Sequence, residues 1–187
     1  MNGNFGLSDS VPFPRSYWVV RGKFMAGSYP GSEDLQEAET KLRGLLEQGI
    51  RHVINLMEPD EFNREMRPFV PYKGQMKAIA KSMGFEVSFE RIPIRDGWVP
   101  SHGDMVAILD SIDSHVEREM PVYLHCWGGR GRTGMVVACY LTRHGLCKAS
   151  EAVDKIRELR KNTEDHDEPS PESRRQHEMV LSWMEGE

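Results

Sequence analysis

Apolar runs of four or five residues alternate along this chain with longer segments whose apolar residues recur every three or four positions. The first pattern predicts buried strands and the second amphipathic helices. Residues 16–20 (SYWVV) and 23–27 (KFMAG), joined by Arg21-Gly22, read as a hairpin. Ser32 is placed to cap a helix with Leu35, Ala38, Leu42, Leu45 and Leu46 inward, and Gly49 closes it. HVINL (52–56) reads as a buried strand, residues 73–83 as a helix ending before Gly84, and 86–92 as a strand. Ser101 caps a clearer helix, with Met105, Ile108, Leu109, Ile112 and Val116 on one face. PVYLH (121–125) is another buried strand, followed by a helix over 133–145. A helix over 149–161 turns Ala152, Val153, Ile156 and Leu159 inward, and a last one over 172–184 does so with Met179, Val180 and Trp183.

Such alternation predicts a single α/β domain, with a mostly parallel central sheet flanked by helices on both faces. The domain is expected over residues 16–187, behind a flexible N-terminal arm over 1–15 that is rich in Gly, Ser and Pro. Sites in such sheets lie at the carboxyl ends of the strands. That directs attention to the loop after His125.

LHCWGGRGRTG (124–134) fills that loop. Gly128, Gly129 and Gly131 let the backbone wrap tightly around something small. A glycine-rich turn entering a helix presents converging N–H groups and the positive end of the helix dipole, which together attract an anion. A cysteine at such a site is favoured as the nucleophilic thiolate. Arg132 adds a planar fork that matches two oxygens of a phosphate. No Lys-Ser/Thr pair follows the last glycine, so the loop does not suit a nucleotide triphosphatase.

Composition narrows the class without changing it. The 187 residues are 39% hydrophobic and 28% charged, ordinary for a soluble domain with a sizeable core. Net charge is −5 with no Lys/Arg block, which argues against nucleic-acid partners. The apolar runs are too short for a membrane span, and MNGNFGLSDS lacks the character of a signal peptide. Besides Cys126, only Cys139 and Cys147 are present, and about 20 Å of helix separates Cys139 from Cys126, beyond disulfide reach. A reducing cytoplasm and a monomer are the simplest expectations. The histidines show no ligand spacing, so neither a metal nor a cofactor is expected.

HCWGGRGRTG resembles the phosphate-binding signature of the cysteine-based protein tyrosine phosphatases, His-Cys-five residues-Arg-Ser/Thr. SYWVVRGKFMAGSYPG, GIRHVINLMEPDE, RIPIRDGWVPS and SPESRRQHEMVLSW are similar, in order, to segments of compact bacterial dual-specificity-like phosphatases, over residues 16 to 184. The resemblance implies a protein-tyrosine-phosphatase-like fold and a nucleophile at Cys126, attacking phosphorus to give a cysteinyl-phosphate. It implies a cradle of backbone N–H groups from Trp127, Gly128, Gly129, Arg130, Gly131 and Arg132, completed by the Arg132 side chain. Thr133 would donate its hydroxyl to the Cys126 sulfur, and His125 would position the loop. Asp96, thirty residues before Cys126, matches the general acid of the family. Its Arg-Asp-Gly-Trp setting departs from the usual Pro-Asp, and Arg95 is expected to make the loop more mobile or more basic. Gln176 resembles a late glutamine near the phosphate loop, with a surface position as its alternative. Glu58 and Glu61, after the 52–56 strand, read as rim or solvated residues.

The expected substrates are phosphotyrosine and phosphoserine/threonine of proteins, or a small phosphate ester. Arg130 stands where phosphoinositide and inositol-phosphate phosphatases of the superfamily carry a lysine, and Trp127 where they are often basic too. Inositol or lipid phosphates are therefore the alternative. A non-catalytic phosphate-binding pseudophosphatase is a third reading, opposed by the presence of Cys126, Arg132 and Asp96 together. Trp127 and Arg130, whose side chains the chemistry leaves open, are the expected seat of specificity.

Overall fold

A computed structural model describes residues 11–187. In chain order the elements are β1 (Ser16–Val20), β2 (Phe24–Gly27), α1 (Leu35–Glu47), β3 (His52–Asn55), α2 (Lys73–Ser82), β4 (Ser88–Arg91), α3 (His102–Glu117), β5 (Val122–His125) and α4 (Gly131–Arg143). A 3-10 turn (Ala149–Glu151) then leads into α5 (Ala152–Leu159), and α6 (Arg174–Ser182) follows. The strands form one sheet in the order β1-β2-β5-β3-β4. Every neighbouring pair is parallel except the β1–β2 hairpin.

Strand composition explains the layering. In β5, Val122 and Leu124 join Phe24, Ala26 and Ile54 in a core completed by α3, α4, α5 and α6. Tyr123 points to the other face, with Met25 and Val53, against apolar residues of α1 and α2. A strand covered on both sides reads as a continuous apolar run, as VYLH does. Burying each such aliphatic side chain stabilises the fold by about 1.5–3 kcal/mol. The central position of β5 matters for the site. Its last residue, His125, pairs with Gly27 of β2 and Asn55 of β3, so three strands end together beneath one loop.

Several element ends differ from the expectation. Asp34, not Ser32, caps α1: its carboxylate accepts from the Gln36 and Glu37 amides at 2.8 and 3.1 Å. Ser32 instead accepts from the Asp34 amide and donates to the Glu37 carboxylate. The 86–92 strand shortens to Ser88–Arg91, and the 149–161 helix opens with a 3-10 turn. The last helix starts late because Ser173 and Gln176 make a capping box around its first turn.

The N-terminal expectation is corrected in part. Residues 1–10 lie outside the described residues, but Phe13 is buried with its ring 6.1 Å from that of Tyr123. Arg15 reaches the loop after β5, donating to the Gly128 carbonyl at 3.1 Å. Among the described residues, no helix is long and apolar enough to cross a membrane.

Candidate active site

The loop from Cys126 to Arg130 joins β5 to α4 and needs its glycines at two places. Gly129 has φ +77°, and a Cβ there would lie 2.5 Å from the Gly27 carbonyl carbon. A Cβ on Gly131 would meet the Glu172 carboxylate at 2.6 Å and the Gln176 amide at 3.2 Å. The loop is thus pressed against β2 on one side and the start of α6 on the other. Cys126 is buried, and its sulfur accepts from the Gly129 amide at 3.3 Å. No side chain caps α4, so the loop delivers its first-turn N–H groups without an internal acceptor side chain.

Arg132, the second residue of α4, is almost fully buried. Its Nη1 donates to the Ile94 carbonyl at 2.9 Å and to a Glu61 oxygen, and its Nη2 donates to the other Glu61 oxygen at 3.1 Å. Glu61 therefore takes the end-on edge of the guanidinium. On the remaining edge, Nη2 lies 3.1 Å from the Asp96 carboxylate and the buried Nε has no hydrogen-bond partner among the described residues. Asp96 itself is well exposed, on the loop between β4 and α3. That loop is tied down from both sides: the Ile94 amide donates to the Leu56 carbonyl at 2.9 Å, and Gln176 Nε2 donates to the Trp98 carbonyl at 3.4 Å.

His125 is fully buried beneath the cysteine. Its Nδ1 contacts the Cys126 carbonyl at 2.9 Å, an acceptor only, so Nδ1 carries the proton. Nε2 then accepts from the Tyr72 hydroxyl at 2.6 Å. Burial lowers the His125 pKa to about 3, with Arg91 and Arg132 adding to the effect against the Cys126 carbonyl, and the ring stays neutral. Burial likewise raises Tyr72, which keeps its donor proton.

Residues 14–180 match the family model described as Swiss Army Knife protein, DSP-PTPase phosphatase domain. The chain belongs to that family. A mouse protein named protein tyrosine phosphatase domain-containing protein 1 is 30% identical over 150 residues, covering 79% of this chain and 19% of its own length. An uncharacterized Methanocaldococcus jannaschii protein is 33% identical over 93 residues, covering 50% of this chain and 53% of its own length. The chain thus spans about half or less of these relatives. The active form of Tk-PTP superposes with a TM-score of 0.63 at 24% identity, covering 90% of this chain and 95% of that one. Kinase-associated phosphatase gives 0.65 at 16% identity, covering 92% and 94%.

In this DSP-PTPase domain, Cys126, Arg132, Asp96, His125 and Gln176 come together at one sheet end, from separate parts of the sequence. Gln176 is fully buried, which removes the surface alternative. Its Oε1 accepts from the Glu172 and Ser173 amides at 3.2 and 3.1 Å, so one side chain links the α6 cap to the Asp96 loop, and its amide stands 3.2 Å from where a Cβ on Gly131 would be.

Two expectations are corrected. The Thr133 hydroxyl is buried without a hydrogen-bond partner among the described residues, so the expected bond to the Cys126 sulfur is not made. A thiol sulfur is a weak acceptor, and here the Gly129 amide serves it. Glu61 is no solvated rim residue: its side chain is only 12% exposed and is bound to Arg132. The Arg130 side chain, left open by the sequence as a seat of specificity, pairs with Glu172 at 2.7 Å, Glu168 at 3.1 Å and Asp165 at 3.9 Å. Trp127 is half-buried, edge-on to Phe69 at 5.7 Å, with the Arg64 guanidinium 5.7 Å from its ring centre. Glu61 and Tyr72 are partners of the site that the sequence does not mark: Glu61 ends the GIRHVINLMEPDE segment with no role attached to it, and Tyr72 lies just before the 73–83 helix. Arg95 stacks at 5.0 Å on Trp98, whose ring also has the Arg175 guanidinium at 4.2 Å. Among the described residues, no cluster of His, Cys, Asp and Glu is arranged to hold a metal ion.

Proposed function

We propose that this domain hydrolyses phosphate monoesters on proteins, both phosphotyrosine and phosphoserine/threonine, through a cysteinyl-phosphate at Cys126. The observation that carries this reading is the Asp96 carboxylate 3.1 Å from Arg132, at the same loop as Cys126. Thirty residues of sequence separate Asp96 from Cys126, and the Arg132 guanidinium interacts electrostatically with both.

In the first step the Cys126 thiolate attacks phosphorus, and the bond from phosphorus to the ester oxygen breaks. Asp96 delivers a proton to that oxygen, so the leaving group departs as a neutral alcohol or phenol. In the second step Asp96, now a carboxylate, accepts a proton from water as its oxygen bonds to phosphorus. The sulfur–phosphorus bond breaks and inorganic phosphate leaves. Throughout, the loop amides and the Nε–Nη2 edge of Arg132, which Asp96 yields to the phosphate as it turns to the leaving oxygen, stabilise the equatorial oxygens. Glu61, on the opposite edge, holds the guanidinium in that orientation. Thr133 has an uncommitted hydroxyl in the first turn of α4 to offer the thiolate as it departs.

The test uses para-nitrophenyl phosphate and a phosphoserine peptide. Cys126→Ser abolishes turnover of both. Asp96→Asn slows the peptide, with its poor leaving group, about a hundredfold or more and the aryl ester far less. Wild-type rates from Cys126→Ser would overturn the covalent route, and equal slowing of both substrates would remove Asp96 from the acid role. Inositol or lipid phosphates remain the alternative, because PTPMT1 crystallised with PI(5)P shares this fold, with a TM-score of 0.62 at 18% identity over 89% of this chain and 92% of that one. The ion pairs of Arg130 favour the protein substrates.

A further inference from the structure

Arg130 is the one basic side chain at a variable position of the loop, and it is withheld from the site. Glu172 and Glu168 hold its guanidinium at 2.7 and 3.1 Å, and Asp165 stands at 3.9 Å. Asp165 has other cations: it pairs with Arg160 and Arg15, each at 3.1 Å. Glu168 and Glu172 are thus the carboxylates that occupy Arg130. Both lie in the segment between α5 and α6, which also grips the loop backbone, since the Ser170 hydroxyl donates to the Arg130 carbonyl at 2.9 Å.

We propose that Glu168 and Glu172 are specificity-determining residues that hold Arg130 away from substrate and restrict the site to isolated phosphate monoesters. The proposal rests on the phosphatase reading above and names its substrate class. A substrate with a second phosphate beside the scissile one meets, among the described residues on this side, an Arg130 whose two Nη groups are already paired. It also meets two carboxylates whose side chains are 60% and 42% exposed at the rim. Like charges at that separation repel, and the low exposure of Arg130 (16%) strengthens its bond to them at the expense of any new anion. An isolated phosphotyrosine or phosphoserine avoids this penalty.

The decisive variant is E168Q/E172Q, which removes both charges at exposed positions and keeps the shapes. Turnover of a vicinal inositol bisphosphate is compared with that of para-nitrophenyl phosphate. The ratio of their kcat/KM values should rise about tenfold in the double variant, the worth of one charge-assisted hydrogen bond from Arg130 to the second phosphate. Adding R130M should cancel the rise, because the freed guanidinium is its source. No rise, or a rise that survives R130M, overturns the proposal. Binding of the same bisphosphate to Cys126→Ser protein, by calorimetry, gives a readout without catalysis. Its affinity should tighten by a similar factor with E168Q/E172Q, and an unchanged affinity again overturns the proposal. Failure of the wild-type protein to turn over para-nitrophenyl phosphate would instead count against the phosphatase reading, and the binding arm would still judge Glu168 and Glu172.

Discussion

Arg130 and Arg132 stand two residues apart in one loop, and both are bound by carboxylates, yet their environments assign them opposite work. Arg132 is held by Glu61 on its end-on edge, and on the other edge its Nη2 meets the exposed Asp96 carboxylate at 3.1 Å while its buried Nε has no hydrogen-bond partner among the described residues. Arg130 faces three carboxylates, two of them at the rim. A guanidinium carries five donors in a fixed fork, so what matters is which edge remains available. For Arg132 the Nε–Nη2 edge faces only an exposed, displaceable carboxylate, Asp96, where an incoming oxyanion would take its place. For Arg130 both Nη groups are taken by the rim carboxylates of Glu168 and Glu172, and its Nε, 3.9 Å from Asp165, has no hydrogen-bond partner among the described residues. Residue type alone would class both as phosphate ligands, whereas their partners separate them.

The sharpest way to test this contrast is Arg132→Lys. A lysine keeps the charge but cannot serve Glu61 and a phosphate with two separate edges, so kcat/KM for an aryl phosphate should fall by about a thousandfold. Retention of most activity would mean that charge, not the fork, is what the site uses. Glu61→Gln should act more mildly and more specifically. It leaves Arg132 buried with one anionic partner fewer, and kcat should fall about tenfold while the protein stays folded. Steady-state kinetics beside a thermal melt separates these effects. A loss confined to thermal stability would show that Glu61 only braces the fold.

What the sequence made legible follows from how local each signal is. The Cys126 loop, its glycines and the strand–helix handover lie within eleven consecutive residues, so pattern and chemistry reinforce each other there. The alternation of apolar runs carries the sheet and its two covered faces for the same reason, since VYLH and HVIN are buried over their whole length. Glu61 and Tyr72 were not legible because they flank a nonperiodic stretch whose path is set only by tertiary contacts. The pairing of Arg130 was hidden for a related reason. Two of its carboxylates lie in NTEDHDEPSP and the third just after it, a composition that reads as a solvated loop until the fold lays it against residue 130. The capping error at Ser32 was smaller: two acceptors lie two residues apart, and the carboxylate of Asp34 takes the helix amides.

The same contrast between a free and a committed edge extends to the two buried histidines, one at each end of the sheet. His125 is satisfied on both nitrogens, by the Cys126 carbonyl and the Tyr72 hydroxyl. His52, at the start of β3, bonds Ser88 through Nδ1 at 2.7 Å, while its buried Nε2 has no hydrogen-bond partner among the described residues. Burial, with the stacked His115 adding to it against the opposing pull of Glu90, lowers the His52 pKa to about 4. In both residues the folded value lies below the unfolded value of 6.5, so the unfolded chain binds protons first as pH falls. Their contribution is therefore fully present above pH 6.5 and is lost progressively toward pH 4 for His52 and pH 3 for His125. By pH 5 each histidine should account for about 2 kcal/mol of lost stability, measurable by urea unfolding at several pH values. Tyr72→Phe gives the most local change. It removes the donor to His125 Nε2 and should cost about 1–3 kcal/mol at neutral pH, the penalty for a buried acceptor left without its partner. A variant as stable as the wild type would mean that His125 is held by the Cys126 carbonyl alone, and Tyr72 would then have no part in supporting the loop.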